Sequence, residues 1–108
     1  VPNRGVVPFL KEDAVIETAC MVNATGATPV AFTSFPDSVR GLVCAVKSYE
    51  SLTVEAAVEG SRDKALFALL AHPLIMDVDL AQPMLEELLQ ANRQWLPAFF
   101  EPHAGNPG

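Results

Sequence analysis

Chemistry-bearing side chains are present in this chain, but their spacing assembles no reaction centre. Glu17, Glu50, Glu55, Glu59, Asp63, Glu86 and Glu87 are candidate acids or bases, and a carboxylate takes such a role only through burial and geometry. Glu86 and Glu87 are adjacent, so on a helix they point in different directions and make a poor acid/base pair. Glu55 interrupts an apolar turn between Val54 and Ala56 and reads as a side chain at a helix edge, paired with a basic neighbour. His72 precedes Pro73 near a helix end, where it can meet exposed carbonyls and the negative end of the dipole, while His103 falls in the tail. Cys20 and Cys44 each sit among apolar neighbours and read as small core thiols, with no close partner of the kind that zinc or redox motifs need. No Ser-His-Asp or Cys-His arrangement and no phosphate-cradling glycine loop can be built. Trp95, Phe99 and Phe100 form an apolar cluster suited to a core or a subunit contact.

The elements that would carry these residues fall into a β part and a helical part. Pro2, Gly5 and Pro8 hold the first segment extended, Pro2 and Pro8 make it a poor helix, and Val6-Val7 with Phe9-Leu10 form either a short strand or a packed arm. Ala14 to Val22 and Thr28 to Thr33 read as strands joined by the turn Asn23-Ala24-Thr25-Gly26, with Pro29 at the start or on the outer edge of the second. After Pro36 the period changes, and Val39, Leu42, Val43, Val46, Tyr49, Leu52, Thr53 and Ala56 share a helix face. Gly60 ends that helix and Ser61 caps a second, with Ala65, Leu66, Leu69 and Leu70 apolar and Pro73 as its limit. Asp79 and Gln82 resemble a capping box for a third helix, which Pro97 stops. Its inward residues are expected to be Met84, Leu85, Leu88, Leu89 and Trp95, with Leu88 central. The fold class is therefore α+β, a small antiparallel unit followed by three α-helices. Residues 1–100 are expected to form the folded part and 101–108 a disordered tail.

With 108 residues the chain has the length of one domain and can bury a modest core. A net charge of -6 with scattered basic residues argues against nucleic acid, which requires a concentrated basic surface. No apolar run approaches the roughly 20 residues that span a bilayer, so no membrane is expected and cytoplasm is the default. The chain opens at Val1 without an initiator methionine, as a piece cut from a longer protein would.

Val1-Pro2-Asn3-Arg4-Gly5, Asp13-Ala14-Val15-Ile16-Glu17, Gly26, Pro29, Leu52-Thr53-Val54-Glu55-Ala56-Ala57, Gly60, His72-Pro73-Leu74, Leu85-Glu86-Glu87-Leu88-Leu89 and Trp95-Leu96-Pro97 occur in that order. Together they resemble the C-terminal end of glycoside hydrolase family 4, particularly its 6-phospho-β-glucosidase branch. The chain departs from the pattern where Phe9-Leu10-Lys11 replaces an Asn-Leu-Pro run, and at Lys47-Ser48-Tyr49-Glu50-Ser51, which bears on substrate preference.

The resemblance implies an NAD- and divalent-metal-dependent enzyme, with manganese the usual metal, acting on phosphorylated glycosides by oxidation, elimination, addition and reduction. It implies a homo-oligomer, and it puts the nucleotide-binding turn, the metal's Cys and His and the basic Tyr upstream of the matched part. No catalytic, cofactor-binding or metal-binding role therefore transfers to Cys20, Cys44, His72 or Tyr49. Asn3 and Arg4, in an exposed type of loop, are the two positions that could border an active site, against a purely structural turn. The chain's own share would be to complete the core and a subunit interface, and alone it is expected to be inactive. A non-enzymatic helical interaction module is the alternative.

Overall fold

The computed structural model describes residues 1–32 and 34–101, so Thr33, His103 and the expected tail beyond 101 lie outside the described residues. Strands β1 (Cys20–Asn23) and β2 (Gly26–Pro29) are followed by helices α1 (Asp37–Glu59), α2 (Arg62–Ala71) and α3 (Val78–Ala91). Two short 3-10 turns, Arg93–Trp95 and Pro97–Phe99, complete the order. The expected α+β order of a two-stranded antiparallel unit and three helices is present. The chain divides into two compact units, residues 1–40 and 41–108.

In the first unit the hairpin is shorter than the sequence implied: residues 14–19 and 30–32 lie outside its strands, although the ladder takes in the turn residues Asn23 and Gly26. Asn23 faces Gly26 and Cys20 faces Pro29. The Asn23 Oδ1 accepts the Thr25 N–H at 2.8 Å and its hydroxyl at 2.6 Å, a local bond that closes the turn without help from tertiary contacts. Pro29 ends β2 rather than starting it, where its missing donor costs no ladder bond. Val6 to Leu10 form turns, not a strand. They are the packed arm: Val7 is buried, and Phe9 meets Phe35 edge to face at 5.0 Å with the Arg40 guanidinium 5.0 Å from its ring centre.

The second unit packs α2 and α3 together with the C-terminal half of α1. Its core is Ala56, Leu85, Leu89 and Phe99, flanked by Ala65, Leu66, Leu69, Leu96 and Phe100. Gly60 ends α1 at φ 65°, and a Cβ there would lie 2.2 Å from the Ala98 carbonyl oxygen. The position therefore needs glycine twice, for its dihedral and for the close approach. The Ser61 Oγ caps α2 by accepting the Lys64 N–H at 3.3 Å.

Helix α3 corrects the expected inward face. Ala81, Leu85 and Leu89, each four residues apart, are buried, whereas Leu88 is 47% exposed. Leu88 lies about 100° around the helix from Leu89 and so leaves the line that α2 covers. The cap is Asp77, whose carboxylate accepts the Asp79 N–H at 2.9 Å, and not the expected Asp79–Gln82 box. The helix also stops before Pro97. Asn92 closes it, donating its side-chain amide to the Leu88 carbonyl at 2.8 Å, so that Trp95 falls in a 3-10 turn and is 75% exposed rather than inward. In α1 only Ala56 is fully buried, and Val39, Leu42 and Thr53 are exposed, contrary to the face assigned to them.

These placements make a paired prediction for urea unfolding. Leu89→Ala is expected to cost about 2–5 kcal/mol, as a core truncation does. Leu88→Ala, at the same helix end, is expected to cost less than about 1 kcal/mol; equal losses would mean that the inward line is wrong.

Candidate functional site

The Asn3-Arg4 segment is the part of the chain whose geometry is most heavily specified. Asn3 is fully buried at 0% exposure, and its amide is enclosed by the loop that follows it. Its Nδ2 donates to the carbonyls of Val7 at 2.9 Å, Leu10 at 3.1 Å and Lys11 at 3.1 Å, so one of its two protons is shared. Its Oδ1 accepts the Val7 N–H at 2.7 Å. The backbone does the rest: the Asn3 N–H reaches the Ala14 carbonyl at 2.7 Å, and the Asn3 carbonyl accepts the Val6 N–H at 2.9 Å.

That last bond spans a turn in which Arg4 has φ 44° and Gly5 φ 83°. Two successive positive values belong to a type I′ turn, easy for Gly5 and costly for Arg4. The Arg4 N–H is pinned to the Glu12 carbonyl at 2.8 Å, and its side chain is exposed. The two candidates thus part company: Asn3 points into the loop and builds it, and Arg4 is displayed on its outside.

The other candidate groups are engaged in structural work or dispersed. Glu55 has the basic partner expected of it, Lys64, whose Nζ lies 2.8 Å from Glu55 Oε2 and 2.7 Å from Glu59 Oε1. Hydrogen bonds to Glu55 and then to Glu59 hold the Lys64 ammonium above its ordinary 10.5. Glu50 pairs with Lys47, and Glu86 with Arg62. Arg62 and Arg93 also flank the Phe100 ring, at 5.8 and 4.6 Å from its centre, an arrangement that sequence spacing does not announce.

His72 does not serve the helix carbonyls through its ring, as its position implied. It is the C-cap of α2 through its backbone N–H, while its Nδ1 accepts the Leu74 N–H at 3.2 Å and its ring stands edge-on to Tyr49 at 4.8 Å. Cys20 and Cys44 are free thiols, half-buried rather than in a core. Among the described residues no three His, Cys, Asp or Glu side chains converge as metal ligands would, and no helix is long and apolar enough to cross a membrane.

Comparison with known proteins adds a family to this geometry. The family 4 glycosyl hydrolase C-terminal domain matches residues 1–75. A probable 6-phospho-beta-glucosidase of Bacillus subtilis is 39% identical over 98 residues, which is 91% of this chain and 22% of that protein. A solved 6-phospho-alpha-glucosidase from gut microorganisms, in complex with NAD and Mn2+, superposes with a TM-score of 0.83 at 31% identity, covering 90% of this chain and 22% of that one. The 6-phospho-beta glucosidase of Thermotoga maritima with NAD and glucose-6-phosphate gives 0.78 at 38% identity, covering 88% and 23%. The chain thus spans about a fifth of the length of the relatives it matches.

Two outcomes follow for stability. Asn3→Ala is expected to destabilise by roughly 2–4 kcal/mol, since it strips a buried loop of its side-chain partners. Asn3→Asp, although nearly isosteric, should be the worse of the two in urea unfolding at neutral pH, because a carboxylate oxygen would face the three carbonyls that the amide now satisfies. For Lys64, a cation whose pKa is raised by folding, the stabilisation is fully present below its unfolded value and is lost as pH rises through the folded one. The stability gap between the native chain and Lys64→Met should therefore be full at neutral pH and shrink as the pH is raised above the ordinary lysine value of 10.5.

Proposed function

This chain belongs to glycoside hydrolase family 4, as part of its C-terminal domain, and on that premise we propose that the whole protein is an NAD- and divalent-metal-dependent 6-phospho-glycosidase. The observation that carries this reading is the match of nearly the whole chain to solved enzymes holding NAD with Mn2+ or with glucose-6-phosphate. Phosphorylated glucosides are the substrate class, and hydrolysis runs by oxidation, elimination, addition and reduction as the resemblance implies. The matched relatives include both alpha- and beta-glucosidases, so the phosphate rather than the anomer is the shared feature.

The described residues do not themselves fit the cofactors. Among the described residues no three His, Cys, Asp or Glu side chains converge, and the His72 Nδ1 is occupied by a backbone donor. In this reading manganese is held by other parts of the protein, and most of these residues supply framework. The exposed apolar side chains support that division of labour. Met21, Val22, Val58, Phe67, Leu88 and Trp95 stand largely uncovered, and burying such side chains against the remainder of the enzyme or a second subunit gains about 25 cal/mol per Å2. The resemblance to the family is what supports reading the protein as a homo-oligomer of the cytoplasm.

Activity separates this role from a catalytic one. The purified chain, given NAD and manganese, is expected to show no turnover of a chromogenic 6-phospho-β-glucoside, whereas a protein of the relatives' length that carries it should turn the substrate over. Turnover by the chain alone would sink the framework reading.

A further inference from the structure

Arg4 is a residue of unsuitable type for its backbone. At φ 44° glycine is at ease and an L side chain is strained, and the next residue, Gly5, shows the residue type that such a turn takes without cost. The turn does not need the Arg4 side chain. It is closed by the Val6 N–H on the Asn3 carbonyl and held from beneath by the buried Asn3 amide. The guanidinium is exposed, and it enters no ion pair among the described residues, although Lys11, Glu12 and Asp13 lie in the same loop and Glu12 bonds the Arg4 backbone.

A strained residue persists where the surrounding structure over-determines it, and such residues cluster at active sites and ligand clamps. Here the contribution on offer is a cation with five donors in a planar fork, mounted on a rigid base and free to take a bidentate oxyanion. Rigidity matters because a guanidinium carried on a fixed main chain has only its side-chain freedom to lose on binding. Solved relatives of this family carry phosphates of two kinds, the sugar phosphate of glucose-6-phosphate and the diphosphate of NAD.

We propose that Arg4 is a phosphate-binding residue of the whole protein, displayed by the left-handed turn that Asn3 builds. The inference rests on the 6-phospho-glycosidase reading, and the experiment keeps the two apart. In a protein of the relatives' length carrying this chain, Arg4→Gly relieves the dihedral strain and so should fold at least as well as the parent in thermal unfolding. Calorimetric Kd values for glucose-6-phosphate and for NAD, with KM for a 6-phospho-glucoside, then report the phosphate. A weakening of ten-fold or more for glucose-6-phosphate, matched in KM and with NAD unchanged, assigns the sugar phosphate, and the same loss confined to NAD assigns its diphosphate. Arg4→Lys should restore binding only partly, because an ammonium keeps the charge and loses the fork. Unchanged affinity for both ligands in Arg4→Gly overturns the role of Arg4 and leaves the family activity standing. An unmodified protein that binds neither ligand overturns the activity itself and this role with it.

Discussion

The buried amide of Asn3 is the interaction on which the first forty residues depend. A primary amide removed from water must find partners for two protons and an acceptor oxygen, and here those partners are main-chain groups of Val7, Leu10 and Lys11. A loop with two prolines and a glycine has little regular hydrogen bonding of its own, so one side chain substitutes for a ladder. Among the described residues of this unit, Val7 is the only hydrophobic one that is buried. Polar satisfaction, more than apolar burial, therefore sets the shape of this segment, and it fixes where Arg4 stands.

The helical unit is organised by the opposite means. Ala56, Leu85, Leu89 and Phe99 exclude water, and the small size of Ala56, with no side chain at all at Gly60, lets the C-terminal 3-10 turn come close to the end of α1. The ion pairs from Lys64 to Glu55 and Glu59, and from Arg62 to Glu86, lie at the surface, where screening limits them to small contributions. They orient α2 between its neighbours more than they hold it there. A core this small for a chain with so many uncovered Val, Leu, Phe and Trp side chains is in keeping with residues that serve a larger framework.

That balance bears on how the family places its chemistry. The matched enzymes hold NAD, Mn2+ and glucose-6-phosphate, while among the described residues the carboxylates, the thiols and the His72 imidazole are paired, dispersed or engaged with the backbone. What the Asn3-Arg4 loop displays on its outside is a cation on a stiff turn. Positioning of that kind requires strain to be held by neighbouring hydrogen bonds, and the Asn3 loop provides them.

Local chemistry was legible in the sequence. The Asn23–Gly26 turn, the stop at Gly60, the Ser61 cap and the pairing of Glu55 are each announced by residue type, a glycine at a turn or helix end, a serine before a helix, a charge within an apolar turn, where propensity and short-range bonds decide. The order of family segments was legible for the same reason. The inward side of α3 was not, because Met84, Leu85, Leu88 and Leu89 form an apolar band wider than a single contact line, and only the position of α2 selects Leu85 and Leu89 over Leu88. Nor was the split between Asn3 and Arg4, two adjacent polar residues in one loop. Their sequence determined that the loop would turn at Gly5. Only the tertiary structure decided that the amide would be enclosed and the guanidinium displayed, because the carbonyls that satisfy the amide come from residues four to eight positions on and meet it only when the loop has closed.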